Sequence, residues 1–367
     1  MARRTRKALL GRSFQRALTA MTRTAIRAGS KAITQALKAK PARKPAAAKR
    51  TAMKRTATKR VAEKRVAEKR VAEKRTAPAV GDWSAGLAIG TAGARRYWLY
   101  KPPGVQRGER LPLVVMLHGC WQGAEALASS SKMNRIAARE RFFVLYPEQD
   151  RLANAQGCWN WYDTRSGRAQ REAGAIDAAI DQVCLLQPVD PERIALAGLS
   201  AGAGMAALLA AHRPQRFRAI AMHSGIGTGV AHSSATALRA MRGRRVAGAA
   251  LAPIAVGTRS PALLVIHGSA DYVVAPSNGA EAARLWGARV GAKPSRPRTV
   301  QRGTRYAATI TDYRARGHVV ATLCEINGLG HAWSGGAAGQ NYSDPKGPDA
   351  SRMIWAFMAK QFAKGAG

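Results

Sequence analysis

Residues 193–212 read RIALAGLSAGAGMAALLAAH. An apolar run from Ile194 to Ala197 meets a serine framed by glycines, and an alanine- and leucine-rich stretch with helical spacing follows. The pattern predicts strand, turn and helix in that order. In a G-x-S-x-G elbow the chain turns so sharply from strand into helix that the central side chain stands exposed in a strained conformation, and only small neighbours fit beside it. Gly198 and Gly202, two residues either side of Ser200, meet that demand. In a chain with 36 glycines the pentapeptide alone is a weak signal. A glycine-rich connection carrying a solvated serine is the plain alternative.

Charge divides the chain. Its 367 residues carry 60 Lys and Arg against 21 Asp and Glu, a formal net charge of +39. Residues 1–80 hold 25 of those basic residues with only three Glu, and Phe14 is the only aromatic residue before Trp83. A segment so poor in large apolar groups cannot offset its ordering entropy by burial, so the core is expected in residues 81–367. Within the basic segment, Leu10, Phe14, Leu18, Met21, Ile33 and Leu37 recur at mostly helical steps between arginines and lysines, which predicts a basic amphipathic helix over about 9–38. A Lys/Arg-rich linker follows, ending in three VAEKR copies at 61–75. A five-residue step advances about 140° around a helix, so the repeated valines form no common stripe. The charge of this segment would attract an anionic surface or nucleic acid. Arg12, Arg16, Arg23 and Arg27 interrupt every candidate apolar stretch of a signal peptide, and no run of about 18 apolar residues predicts a membrane span. Cys120, Cys158, Cys184 and Cys324 allow three pairings and lack C-x-x-C spacing, so metal binding is not expected and a buried thiol is the plain reading of each.

From residue 94 onward the order of elements becomes informative. RRYWLYKPP, LPLVVMLHGC, FFVLYPEQ, FRAIAMHSG, ALLVIHGSAD and VATLCEING read as strands. SKMNRIAARER, REAGAIDAAIDQVCLL and DASRMIWAFMAKQFA read as helices, the last with Asp349 placed to cap it. Apolar strands linked by helices imply an α/β fold: a mainly parallel sheet covered by helices on both faces. Chemistry gathers at the carboxyl ends of the strands in such sheets. Ser200, Asp271 and His331 all stand just past predicted strands.

A serine nucleophile needs a base within hydrogen-bond reach and a carboxylate that fixes the base's tautomer. His331, in a glycine-rich loop after the last strand, sits where an α/β-hydrolase places its base, and Asp271 lies between Ser200 and His331 in the order this fold uses. His118 and His267 read as loop-orienting residues at strand ends. His212, His223, His232 and His318 read as surface or structural residues, and Asp177 and Asp181 as solvated helix charges. Two backbone donors should face the developing oxyanion: the N–H of Ala201, after the nucleophile, and that of Cys120, in the turn after LPLVVMLHG. This chemistry expects no metal and no organic cofactor.

LHGCWQ, MNRIAARERFFVLYPEQ, GCWNWYD, VDPERIALAGLSAGAGMA, HGSADYVVAP and GHAWSGG together resemble the polyhydroxybutyrate (PHB) depolymerase family of esterases, related to feruloyl and acetylxylan esterases. The likeness covers about residues 83–363. It implies an α/β-hydrolase acting on esters, with the roles above carried by Ser200, Asp271, His331 and Cys120. Secreted members of that family have signal peptides, whereas this chain opens on a basic helix, so both secreted and granule-associated or cytoplasmic locations stay open. Trp121, Trp159, Trp161, Tyr162 and Trp333 cluster in loops around the proposed site and are candidates for an aromatic wall against a polyester chain or aryl acyl group. Soluble short-chain esters and solid polymer both fit. A related serine hydrolase such as a peptidase, and a binding protein with a vestigial hydrolase domain, are the competing readings.

Overall fold

The computed structural model describes residues 81–244, 251 and 260–364. The amphipathic helix and VAEKR repeats expected in residues 1–80 lie outside this range. An eleven-stranded sheet organises the described chain, and its centre is parallel. Strands β3 (Leu111–Leu117), β4 (Phe143–Pro147), β5 (Val189–Leu199), β6 (Ala219–His223), β7 (Ala262–Gly268) and β11 (His318–Ile326) run in the spatial order β4-β3-β5-β6-β7-β11, each parallel to its neighbour. All seven residues of β3 and all five of β4 and β6 are buried, as a sheet covered on both faces requires.

Antiparallel strands finish both edges. β1 (Asp82–Gly90) pairs with β2 (Gly93–Lys101), which pairs with β4; at the other end β10 (Ala308–Ala315) pairs with β11 and with the short strands β8 (Lys293–Pro294) and β9 (Arg298–Val300). A two-stranded parallel ribbon, β12 (Trp333–Ser334) with β13 (Ser343–Asp344), lies apart.

The helices split the core into two apolar layers. On one face lie α3 (Arg168–Leu186), α4 (Ala201–His212) and α6 (Ser277–Ala288); on the other lie α1 (Ala124–Ser131), α2 (Met133–Glu140) and α7 (Ala350–Ala363). A short α5 (Ser234–Met241) opens on a capping box, in which Ser233 Oγ accepts the Thr236 N–H and Thr236 Oγ1 accepts the Ser233 N–H. Ala201 to Ala210 of α4 are all buried, so this helix is apolar all round and lies inside the molecule rather than on it. Asp349 caps α7 by accepting the Arg352 N–H at 3.0 Å, as its position predicts.

Two local expectations change. The helix expected in SKMNRIAARER is present as α2 but starts later, because Lys132, at φ 58°, separates it from α1, to which Ser131 belongs. Asp177 is not a solvated helix charge either. It points inward from α3, 7% exposed, and pairs with Arg216 Nη1 at 2.7 Å and Arg213 Nε at 3.4 Å. Burial raises its pKa against the pull of those two arginines. Asp181, one turn on, is exposed but joins the same Arg216.

Candidate active site

Ser200 follows β5 directly and precedes α4, with φ 57° and ψ −118°, a conformation that costs a non-glycine residue energy and persists only where the surroundings fix it. The Ser200 N–H donates to His223 O at 2.9 Å, and Ser200 O accepts from Ala203 and Gly204 N–H, so β6 and α4 hold the turn from both sides. The small residues noted in the sequence have a steric cause. A Cβ on Gly198 would collide with the Gly202 carbonyl carbon, and one on Gly202 with Leu117 O at the end of β3. Strand and helix start are in backbone contact here.

Asp271 lies three residues past β7 and is 2% exposed. Its Oδ1 accepts from the Val273 and Val274 N–H groups at 3.0 and 2.8 Å. Its Oδ2 accepts from His331 Nδ1 at 2.8 Å. Burial opposes the negative charge most strongly, yet His331 and His267 hold the carboxyl far below the ordinary carboxylate range. With Nδ1–H committed to Asp271, His331 keeps Nε2 free of a proton and able to accept one. The structure thus brings Asp271 and His331 together, and sets both, with Ser200, at the carboxyl ends of β7, β11 and β5.

A narrow cleft opens at Ser200. Trp159, Trp161 and Tyr162 line it with Ala201, Cys120 and Cys158; Gly225, Ile226, Met241 and Val274 complete the wall. Trp333 is a correction: it is fully buried, stacked on His223, with its indole N–H on Ser351 Oγ, and packs the core instead of facing the cleft. Trp121 is two-fifths exposed at φ 62° and does not line the cleft. The apolar residues after β6 and after Asp271 were missed in the sequence because isolated Ile226, Met241 and Val274 carry no local signal that separates cleft from core.

Cys120 and Cys158 form a disulfide across 38 residues of chain, with Cα atoms 4.3 Å apart. It ties the turn after β3 to the tryptophan-bearing loop, whereas Cys184 and Cys324 are free thiols, the latter buried and pushed up to about 12. Closing a loop of this length is worth about 3–4 kcal/mol on a chain-entropy basis. Cys158→Ser is therefore expected to lower the unfolding free energy by about that amount, read from urea denaturation. An unchanged midpoint would show that the bridge does not form in solution.

Buried polar groups set the two loops against each other. His118 Nδ1–H donates to Gly119 O and His118 Nε2 accepts from Gln149 N; Gln122 Oε1 accepts from Gly119 N, and Trp159 Nε1–H donates to His118 O. Trp121 N–H goes to Gln156 O. Arg95, buried over the Trp159 ring at 5.2 Å, donates to Glu148 O and Gln149 Oε1. His118 thus orients the loops around it, as its strand-end position suggests.

His223 is wholly buried and accepts the Ser334 N–H through Nε2 at 3.1 Å, so its proton sits on Nδ1 beside Ser224 Oγ. Burial first, then His267 and His331, push its pKa down from 6.5 to about 3. The unfolded chain takes up this proton below about pH 6.5 and the native one resists it, so stability is complete above that pH and falls as pH drops toward 3, by up to roughly 5 kcal/mol. His223→Gln retains an acceptor for Ser334 N–H and should lose this part of the slope in urea unfolding measured from pH 7 to 4. Identical slopes would assign the acid sensitivity elsewhere.

No described helix is long and apolar enough to cross a membrane, and no three His, Cys, Asp or Glu among the described residues are grouped to hold a metal.

A mainly parallel sheet with a strand-serine-helix elbow at its centre and an Asp–His pair past two further strands defines an α/β-hydrolase. The family model for Esterase PHB depolymerase matches residues 95–288, and the chain belongs to that family. Poly(3-hydroxyalkanoate) depolymerase C of Paucimonas lemoignei is 36% identical over 175 residues, 46% of this chain and 42% of that one. Acetylxylan esterase A of Talaromyces purpureogenus is 26% identical over 210 residues, 52% of this chain and 53% of its own. The chain spans about half the length of these curated relatives. Among solved structures, the acetyl xylan esterase from Aspergillus awamori superposes with a TM-score of 0.58 at 18% identity, covering 76% of this chain and all of that one, a likeness of fold.

Proposed function

We propose that the chain is a serine-dependent carboxylic ester hydrolase working through an acyl-enzyme. The observation that carries this reading is the Asp271–His331 hydrogen bond at the same sheet end as the strained Ser200 elbow. Ser200 Oγ attacks the ester carbonyl while His331 Nε2 takes its proton; His331 then protonates the leaving alcohol, and water attacks the acyl-enzyme by the same route in reverse. Asp271 holds the His331 tautomer and stabilises the imidazolium. The N–H groups of Cys120 and Ala201 receive the oxyanion. The disulfide then has a functional reading, since it fixes the turn that bears one of those donors.

Trp159, Trp161 and Tyr162 form an apolar wall suited to a hydroxyalkanoate oligomer, polyester or another short-chain or aryl ester. Acetylxylan and feruloyl esters are the alternative substrates. Purified protein should turn over p-nitrophenyl esters of increasing acyl length, PHB oligomers and methyl ferulate, with the preferred series naming the substrate. Hydrolysis of peptides without esters would point to a peptidase, and no turnover of any of them would return the vestigial-domain reading.

Residues 1–80 are proposed as a separable addressing segment for an anionic surface or nucleic acid, on their charge alone. A chain beginning at Pro78 is expected to match the full chain in thermal midpoint and small-ester turnover within about twofold. A clear loss of either would show that the segment packs on the hydrolase domain.

A further inference from the structure

His267 closes β7 one residue before its end, four residues ahead of Asp271, and is 1% exposed. Its Nε2 lies 2.9 Å from Val274 O and 3.4 Å from Asp271 Oδ2, the same carboxylate oxygen that accepts from His331. Val274 is itself a residue of the cleft wall. The other ring nitrogen, Nδ1, has no hydrogen-bond partner, and a Cβ on Gly279 of α6 would come 2.8 Å from it. Backbone crowding therefore presses one edge of the ring against the helix and aims the other at the Asp271 loop. Only the Nε2–H tautomer uses this geometry, since a proton on Nδ1 would be buried without an acceptor.

We infer that His267 is a positioning residue for the Asp271–His331 pair, sharing its Nε2–H between Val274 O and Asp271 Oδ2. The inference rests on the esterase reading for its consequence in turnover, while the coupling itself does not. Two histidines then converge on one carboxylate oxygen, and two backbone N–H groups hold the other oxygen. The donor from His267 draws part of the charge of Oδ2 away from His331. It also locks the 271–274 turn, so the acid and the cleft wall at Val274 move together. The titratable groups around this ring are Asp271, His331, His223 on β6 and Glu325, its register partner on β11.

The test compares His267→Leu, which cannot donate, with His267→Gln, whose amide reaches to the Nε2 position. In the leucine variant the carboxylate is left with more charge for His331, so the imidazole titration of His331 followed by NMR, identified by its loss in His331→Gln, should rise by about half a unit or more. The acid limb of kcat/KM should move up with it. Turnover should fall about tenfold to a hundredfold with KM within about threefold, and the glutamine variant should recover most of both. An unmoved His331 titration in His267→Leu would overturn the inference. So would equal damage in both variants that tracks a shared loss of thermal stability. Wild-type protein without ester turnover would instead defeat the esterase reading, and the His331 titration would still decide the role of His267.

Discussion

Replacing Ser200 by alanine is expected to lower ester turnover by at least about a thousandfold, because the variant has no atom with which to form the acyl-enzyme. What is left is attack by water on an ester polarised by the Cys120 and Ala201 N–H groups, and such residual catalysis falls orders of magnitude short of an intact site. The fold should survive. Alanine adopts φ 57° at the same cost as serine, and the bonds that shape the turn come from the Ser200 backbone N–H and C=O. KM for p-nitrophenyl butyrate should stay within a few-fold, since the apolar wall does not depend on the hydroxyl. Turnover within tenfold of wild type, at an unchanged thermal midpoint, would falsify Ser200 as the nucleophile.

The sheet centre was legible because physics leaves a plain trace there. Runs such as LPLVVML must be apolar at every position when helices cover both faces, and each such run ends where the structure ends a strand. The elbow was legible because close backbone approach, from the helix start at Gly198 and from β3 at Gly202, excludes side chains at both, and that demand leaves two glycines within five residues. The edges left weaker traces. β1 buries only Ala88, and β10 buries Ala308 and the largely polar stretch Thr311, Asp312 and Tyr313, so neither shows an apolar run. The Cys120–Cys158 bridge was hidden for a different reason: four cysteines permit three pairings, and only the folding of the 148–162 loop against the turn after β3 chooses among them. Trp333 misled because loop position and side-chain direction are separate facts. It stands two residues past His331, yet its ring turns inward to cover His223.

Asp271→Asn is expected to be nearly as damaging as loss of the serine, at about a thousand- to ten-thousandfold in kcat. The asparagine has only one oxygen. The Val273 and Val274 N–H groups, at 3.0 and 2.8 Å, both need an acceptor on the Oδ1 side, so the oxygen stays there and the amide NH2 turns toward His331 and His267. His331 can meet that donor only by carrying its proton on Nε2, which leaves no lone pair to receive the Ser200 proton. The imidazolium that forms during the reaction would also lose its anionic partner. Since the two backbone bonds survive, the thermal midpoint should drop modestly and KM should change little, so the defect would read as a fall in kcat. Asp177→Asn is the matched control: it removes a buried carboxylate from an ion pair with Arg216 and should cost stability while leaving kcat within a few-fold. If Asp177→Asn abolished turnover and Asp271→Asn kept it within tenfold, the acid of this site would have been assigned to the wrong residue.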